Sequence, residues 1–371
     1  MKFGVPLGLL HPAAWKDVAV AADELGFESM WLPEHLVFTT DLSTAHYPGA
    51  TSPGIKPGTP LFDAPAYLCW LAALTSHVKL GTAVQLLALR HPFVSARAFA
   101  TLDVVSAGRA VCGVGAGWYR GSGTRPGCRS RAGGARLDEA IEVVRRLWSE
   151  PVVAHSGRFY SFPEVAFEPK PVQPHLPVLA GGESDAALRR AALLCDGWIS
   201  MPHTLASIRP RLAALARLRS GVPVTAHAYE LGSPDEVAEW AALGVERLIV
   251  RPWTRGRDAV AHLTRFATAY GLTPPVAPGL TAAGYGLTPR RPRPDRHRLR
   301  PDAPVGPGLT RPHGVVRRGD GRWCRRSARP PGGCGGGGGP WAGRRCRGTP
   351  GARPMSGDGG GHGRWSRAPR R

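Results

Sequence analysis

Residues 78–118, VKLGTAVQLLALRHPFVSARAFATLDVVSAGRAVCGVGAGW, hold two β-rich runs on either side of one helical run. The run 78–84 is apolar and β-rich, and reads as a strand. Pro92 stands in the first turn of a helix over 92–106, where its missing N–H is no loss. Residues 110–115 return to strand composition. A helix between two strands is the crossover that parallel pairing needs.

The same unit recurs along the chain in both directions. Upstream, strands fall at 3–9 and 29–32 and helices at 13–25 and 62–76. Gly26 sits where a C′ glycine ends the first of those helices. A Pro/Gly-rich loop fills 33–60. Downstream, a helix over 137–149 carries an apolar face of Leu137, Ile141, Val144 and Trp148. Residues 152–173 form an inserted hairpin with its turn at Ser156–Gly157. Strands then alternate with helices at 177–180, 184–194, 197–201, 205–219, 222–229, 234–243, 247–250 and 258–270. Ser233 is the expected N-cap of the helix over 234–243, with Glu236 at capping-box spacing. Eight strands and eight helices alternate over about 270 residues, which fits a closed (β/α)8 TIM barrel better than an open doubly wound sheet.

Composition bounds the function. The 371 residues carry a formal charge of +21. Residues 275–371 alone hold 21 Arg, no Lys and 4 Asp, so the body over 1–274 is only mildly basic. That tail also holds 23 Gly and 15 Pro and has no Ile or Phe, so it is expected to be a disordered basic tail. A second anomaly is the insert 121–134, GSGTRPGCRSRAGG, which has no aliphatic side chain larger than Ala. Both stretches read as out-of-frame translation, the short one through two compensating shifts. An arginine- and glycine-rich arm that binds nucleic acid is the alternative for the tail. No apolar run spans a bilayer and no signal-peptide core precedes Trp15, which leaves a cytoplasmic protein with no membrane partner. The seven cysteines lack metal spacing, so no metal site is expected.

The ends of barrel strands are where the chemistry should lie. After the second strand come Glu34 and His35, a carboxylate and an imidazole suited to proton transfer, or to a salt bridge and loop filling. After the third come Gly81, Thr82, Ala83 and Val84, small residues that let a flat ligand approach, and further on Arg90, either an anion contact or a salt bridge at a helix start. After the fourth, Gly115, Ala116 and Gly117 open a backbone surface. After the fifth, Gly181, Gly182, Glu183 and Ser184 lead into a helix N-terminus that suits a phosphate, with Ser184 as N-cap the plainer alternative. His227 and Tyr229 end the seventh strand as pocket walls or core, and Arg251, Trp253, Arg255 and Arg257 follow the eighth. No nucleophile triad, metal motif or P-loop is present, a pattern that suits an organic redox cofactor doing the chemistry.

Four segments carry a family resemblance: AADELGFESMWLPEHLV, residues 78–118, GARLDEAIEVVRRLWSEPVVAHSGRFYSF and PVLAGGESDAALRRAALLCDGWIS. The body resembles the bacterial luciferase-like monooxygenase superfamily, in its branch of F420-dependent oxidoreductases. The resemblance implies a cofactor ring held at the barrel mouth, backed by a non-prolyl cis peptide at Ala83–Val84. It implies coenzyme F420 as hydride carrier, or else FMN with O2 in a monooxygenase, or an inactive flavin-binding relative. Catalysis falls to His35 and Glu34. Cofactor binding falls to Thr82, Ala83, Val84, Gly115, Ala116, Gly117, Gly181, Gly182, Glu183 and Ser184. The partners implied are a small-molecule substrate and a second copy in a homodimer. Some members carry a carboxylate at the place of Ala116, and its absence argues against a sugar-phosphate dehydrogenase.

Overall fold

The structure, a computed structural model, describes residues 1–38, 40, 56, 58–117 and 131–275, with 131 and 132 by backbone only. The expected tail beyond 275, residues 121–130 of the insert and most of the 33–60 loop lie outside the described residues. Every described residue belongs to one compact unit.

Eight parallel strands close into a barrel. In chain order the elements are β1 (Lys2–Pro6), α1 (Trp15–Glu24), β2 (Ser29–Leu32), α2 (Ala64–Ala72), β3 (Lys79–Thr82), α3 (Pro92–Val105), β4 (Ala110–Val114) and α4 (Arg131–Ser149). There follow β5 (Val152–Ser156), β6 (Ser161–Ala166), β7 (Val178–Gly181), α5 (Asp185–Leu193), β8 (Gly197–Pro202), α6 (Leu205–Leu218), β9 (Val224–His227), α7 (Pro234–Ala242), β10 (Val245–Ile249) and α8 (Ala259–Ala269). Around the barrel the order is β1-β10-β9-β8-β7-β4-β3-β2, while β5 and β6 form a separate antiparallel pair. That pair is the expected hairpin, with its turn at Gly157–Tyr160 rather than at Ser156–Gly157, since Ser156 pairs with Ser161. Glu139 on α4 anchors it, accepting from the amides of Phe159 (3.0 Å) and Tyr160 (2.8 Å).

Two cores follow from the pleat. Outward-facing apolar residues pack against the helices in one large cluster. Inward, Trp31, Val111, Leu179, Ile199 and Ile249 fill the lumen. Close packing explains two of the glycines. A Cβ at Gly81, the register partner of Trp31, would lie 2.4 Å from the indole. One at Gly113 would lie 1.9 Å from the Thr82 carbonyl oxygen. Gly81, expected to admit a ligand, thus makes room for the indole instead.

The amino-terminal end of the barrel is closed by ion pairs. Arg247 donates to both carboxylate oxygens of Glu28 (2.6 and 2.7 Å) and to Thr225 Oγ1 (2.9 Å), and its guanidinium lies over the Trp31 ring. Lys79 adds a contact to Glu28 at 3.1 Å. Beside it, the Asp23 carboxylate accepts from the amides of Ser76, His77 and Val78 at 2.7–2.8 Å, tying the end of α1 to the start of β3.

Two local expectations are corrected. Ser233 makes no side-chain cap bond. The Glu236 carboxylate instead accepts from the Gly232 amide and the Trp240 indole, so the capping box is not formed. Helix α4 begins at Arg131 rather than 137, so the end of the insert, through Gly133 and Gly134, is helical. Two adjacent glycines disfavour a helix by about 1 kcal/mol each, which is why the sequence signal starts later.

Candidate active site

The carboxyl-terminal mouth centres on the segment that follows β3. The Ala83–Val84 peptide is cis, at the place the resemblance implied. The backbone then runs alongside β4, with the Gln85 amide donating to the Gly113 carbonyl (2.7 Å) and the Gly115 amide to the Gln85 carbonyl (3.0 Å). Ala83 and Val84 pack onto the lumen cluster from above. The two methyl groups of Val84 reach the two neighbouring strand ends. A Cβ at Gly115 would lie 2.5 Å from one methyl, and a Cβ at Gly181 2.5 Å from the other. The absent side chains at Gly115 and Gly181 therefore seat Val84 centrally over the lumen.

Glu34 holds this segment in place. It is 3% exposed. Its Oε2 accepts from the Leu86 amide at 2.7 Å and its Oε1 from Gln85 Nε2 at 3.0 Å, and Arg90 pairs with it. Arg90 also donates to Asp63 Oδ2 at 3.0 Å, and Asp63 caps α2 through the Ala66 amide. Of the two readings of Arg90, the salt bridge is the one formed. Burial pushes the Glu34 carboxyl up, against the pull of the Leu86 amide and the Arg90 charge. With both oxygens occupied below the surface, Glu34 does not match the expected proton-transfer role. Its partners 51 and 52 residues away left no local signal in the sequence.

His35 is half-buried beside the Phe38 ring, with centroids 4.7 Å apart. Burial pushes its pKa down to about 4, so the imidazole is neutral at pH 7. The adjacent residues Glu34 and His35 thus part company, one sealed in a hydrogen-bonded clamp and the other at the surface of the mouth.

The expected cofactor-binding residues fall into two groups. Thr82 is fully buried and its hydroxyl donates to the Gly113 carbonyl at 2.8 Å, so it is a strut between β3 and β4. Gly115 and Gly181 are buried under Val84. The Glu183 carboxylate turns along the rim to the Met201 amide (2.7 Å) and His203 Nε2 (3.0 Å), away from a ligand role. Ala116, Gly117, Gly182 and Ser184 remain accessible. Gly182 has φ +111°, which places its peptide in a conformation closed to side chains, just before α5. Ser184 is the N-cap of α5, accepting from the Ala187 amide at 3.2 Å.

The far side of the mouth carries His227, 8% exposed, with Nδ1 2.6 Å from the Ser200 carbonyl oxygen. The basic group after β10 is dispersed. Arg251 lies over the Tyr229 ring and 3.7 Å from Glu230, Arg257 pairs with Asp258, and Trp253 is buried. Among the described residues no cluster of His, Cys, Asp and Glu would hold a metal, and no helix is long and apolar enough to cross a membrane.

Comparison with known proteins agrees with this geometry. The luciferase-like monooxygenase family matches residues 6–228. An uncharacterized protein of Mycobacterium tuberculosis is 34% identical over 269 residues, 70% of this chain and 93% of that one. The F420-dependent glucose-6-phosphate dehydrogenase of Kineococcus radiotolerans is 34% identical over 193 residues, 51% of this chain and 52% of its own. Among solved structures, the monooxygenase RslO1 of Streptomyces bottropensis superposes with a TM-score of 0.58 at 21% identity, covering 72% of this chain and 98% of that one. An F420-dependent secondary alcohol dehydrogenase bound to an F420–acetone adduct gives 0.57 at 16% identity, covering 72% and 97%. The likeness to the solved structures is one of fold. With the family match spanning more than half of the sequence, this chain belongs to the luciferase-like monooxygenase family.

Proposed function

We propose that the barrel over 1–274 is an F420-dependent oxidoreductase acting on a small organic molecule. The observation that carries this is the Val84 platform. Its side chain, seated between Gly115 and Gly181 over a filled lumen, offers an apolar face at the centre of the mouth. The residues present fit a flat heterocycle with an anionic chain. The ring would rest on Val84, while Ala116, Gly117 and Gly182 would offer backbone to the chain and Ser184 the N-terminus of α5 to a phosphate. The F420-dependent relative supports the choice of cofactor.

Coenzyme F420, when bound, accepts or donates a hydride at C5 of its deazaflavin ring. The chain supplies the rest. Ala83 and Val84 keep water from one face of the site. Glu34 and Arg90 fix the segment carrying Val84, so Glu34 is a positioning residue. His35, half-buried and neutral at pH 7, lines the mouth beside Phe38. Ala116 puts no carboxylate in the β4 loop, which argues against a sugar phosphate as substrate.

The fluorescence of F420 tests the proposal. Titration of the purified chain should quench it saturably. Quenching by F420 abolished by equimolar FMN would favour the flavin monooxygenase instead, and no response to either ligand would leave an inert relative. A homodimer is the assembly we propose, to be read by light scattering of the same preparation.

A further inference from the structure

The mouth holds a second imidazole that faces the platform from across the barrel. In the ring of eight strands, β9 lies four places from β3, so His227 at the end of β9 is diametrically opposite the segment carrying Val84. His227 pairs in register with Ile249, a lumen residue, so its side chain also points inward. A heterocycle resting on Val84 would turn its free face toward this wall.

The hydrogen bonds of His227 fix its tautomer. The Ser200 carbonyl oxygen accepts only, so Nδ1, 2.6 Å away, carries the proton and donates. The His227 amide donates to Ser200 Oγ at 3.2 Å, holding the residue from its backbone as well. Nε2 is then the bare nitrogen, and it has no hydrogen-bond partner among the described residues. The Tyr229 ring stands edge-on to the imidazole at 5.5 Å. Glu183 and His203 are the other titratable groups that act on the imidazole, and they bond to each other at 3.0 Å. Burial keeps the His227 ring neutral, against the pull of the Ser200 carbonyl and of Glu183.

A bare ring nitrogen in a dry wall matches a substrate that presents an O–H, and it offers a carbonyl nothing to accept. Resting on the F420 reading above, we propose that Nε2 of His227 binds the hydroxyl of an alcohol substrate and takes its proton as the alcohol is oxidised. The carbon-bound hydrogen leaves with its electron pair to oxidised F420. The O–H electron pair becomes the second bond of the carbonyl, and the proton moves to Nε2 to give an imidazolium. The alcohol loses two electrons and the cofactor gains them. The imidazolium returns its proton to water when the carbonyl product leaves.

The test uses the full chain, isopropanol and acetone as probes, and two readouts. The first is the ring-nitrogen NMR signal of His227, assigned with His227→Asn, read with isopropanol on protein loaded with reduced F420 and with acetone on protein loaded with oxidised F420, the two pairings that cannot turn over, each against its own probe-free spectrum. Isopropanol should shift the Nε2 signal and acetone should leave it in place. The second is single-turnover hydride transfer from isopropanol with oxidised F420. His227→Asn keeps a donor toward Ser200 but loses the bare nitrogen, so the rate should fall about 100-fold or more. The F420 quenching midpoint should move less than about twofold. An unmoved NMR signal, or equal shifts with both probes, overturns the role of His227 while intact quenching leaves the cofactor reading standing. Absence of quenching in the wild-type chain overturns the cofactor reading first, and this proposal with it. The NMR arm reads the wild-type chain and stands even if the variant fails to fold.

Discussion

The two ends of the barrel treat their ionisable groups in opposite ways. At the amino-terminal end carboxyl groups are held charged. Burial alone would raise the Glu28 carboxyl, yet Arg247 and Lys79 bring it down to about 2. The backbone amides just before β3 do the same for Asp23, and the Val178 amide with Arg145 does so for Asp196. At the mouth burial shifts the groups toward their neutral forms. Burial pushes the Glu34 carboxyl up and brings both His35 and His227 down to about 4. One end supplies partners to these buried carboxylates, and at the other burial withholds water from the titratable groups. Ion pairs are concentrated at the floor, and the rim is where this barrel type is expected to hold its chemistry.

The contrast breaks most sharply at Glu28. Glu28→Gln leaves the Arg247 guanidinium buried without its counter-charge and should cost about 3–5 kcal/mol of stability. Because the folded-state pKa is depressed, the contribution of Glu28 is complete above its ordinary value of 4.5 and is lost as pH falls toward about 2. Urea unfolding between pH 5.5 and 2.5, a window of about three units, should show a flatter loss of stability in the variant. Parallel slopes would mean that the pair is not the source. Next in size is Asp23→Asn. Three amides lose a charged acceptor, for about 3 kcal/mol or less, and hydrogen exchange at Val78 should quicken while F420 binding holds.

The alternation of elements made the barrel legible, because each strand–helix unit is a local pattern. The hairpin and the helix face of Leu137, Ile141, Val144 and Trp148 were legible for the same reason, and all four of those residues are buried. The purposes of the glycines were not. Gly81 exists for an indole 50 residues upstream, and Gly115 and Gly181 exist for a valine in the segment after a third strand. The strand-end carboxylate was found, but its occupation by Gln85, Leu86 and Arg90 depends on how the β3 segment folds back. Short-range reading likewise offered Ser233 and Glu236 as a capping box, whereas the Gly232 amide and Trp240 compete for that carboxylate and win. His227 was named as pocket wall or core, and only the register with Ile249 shows which way it points.

Glu34→Gln sharpens the comparison at the mouth. A positioning role predicts a moderate stability loss, about 2 kcal/mol, as Arg90 and the Leu86 amide lose the anion between them. It also predicts weaker F420 binding, because Val84 is carried on the loosened segment. A catalytic role predicts unchanged affinity with a collapsed rate. Fluorescence titration alongside single-turnover kinetics separates the two, and an unaltered midpoint would return Glu34 to the chemistry.

The smallest expected effect is at Ser184, and it decides whether the rim reaches the cofactor's phosphate. As a helix cap, Ser184 accepts from the Ala187 amide, and Ser184→Ala should cost about 1 kcal/mol whatever is bound. The hydroxyl keeps one further capability, since its own hydrogen is still available to donate and the residue is exposed. A phosphate at the start of α5 would receive that hydrogen, and the variant would then lose a second, charge-assisted bond only when loaded. Thermal unfolding with and without saturating F420 therefore discriminates through linkage. A larger drop in the loaded protein places the phosphate at Ser184. Equal drops in both states leave it a cap, and move the anionic chain toward Ala116 and Gly117 on the neighbouring strand end.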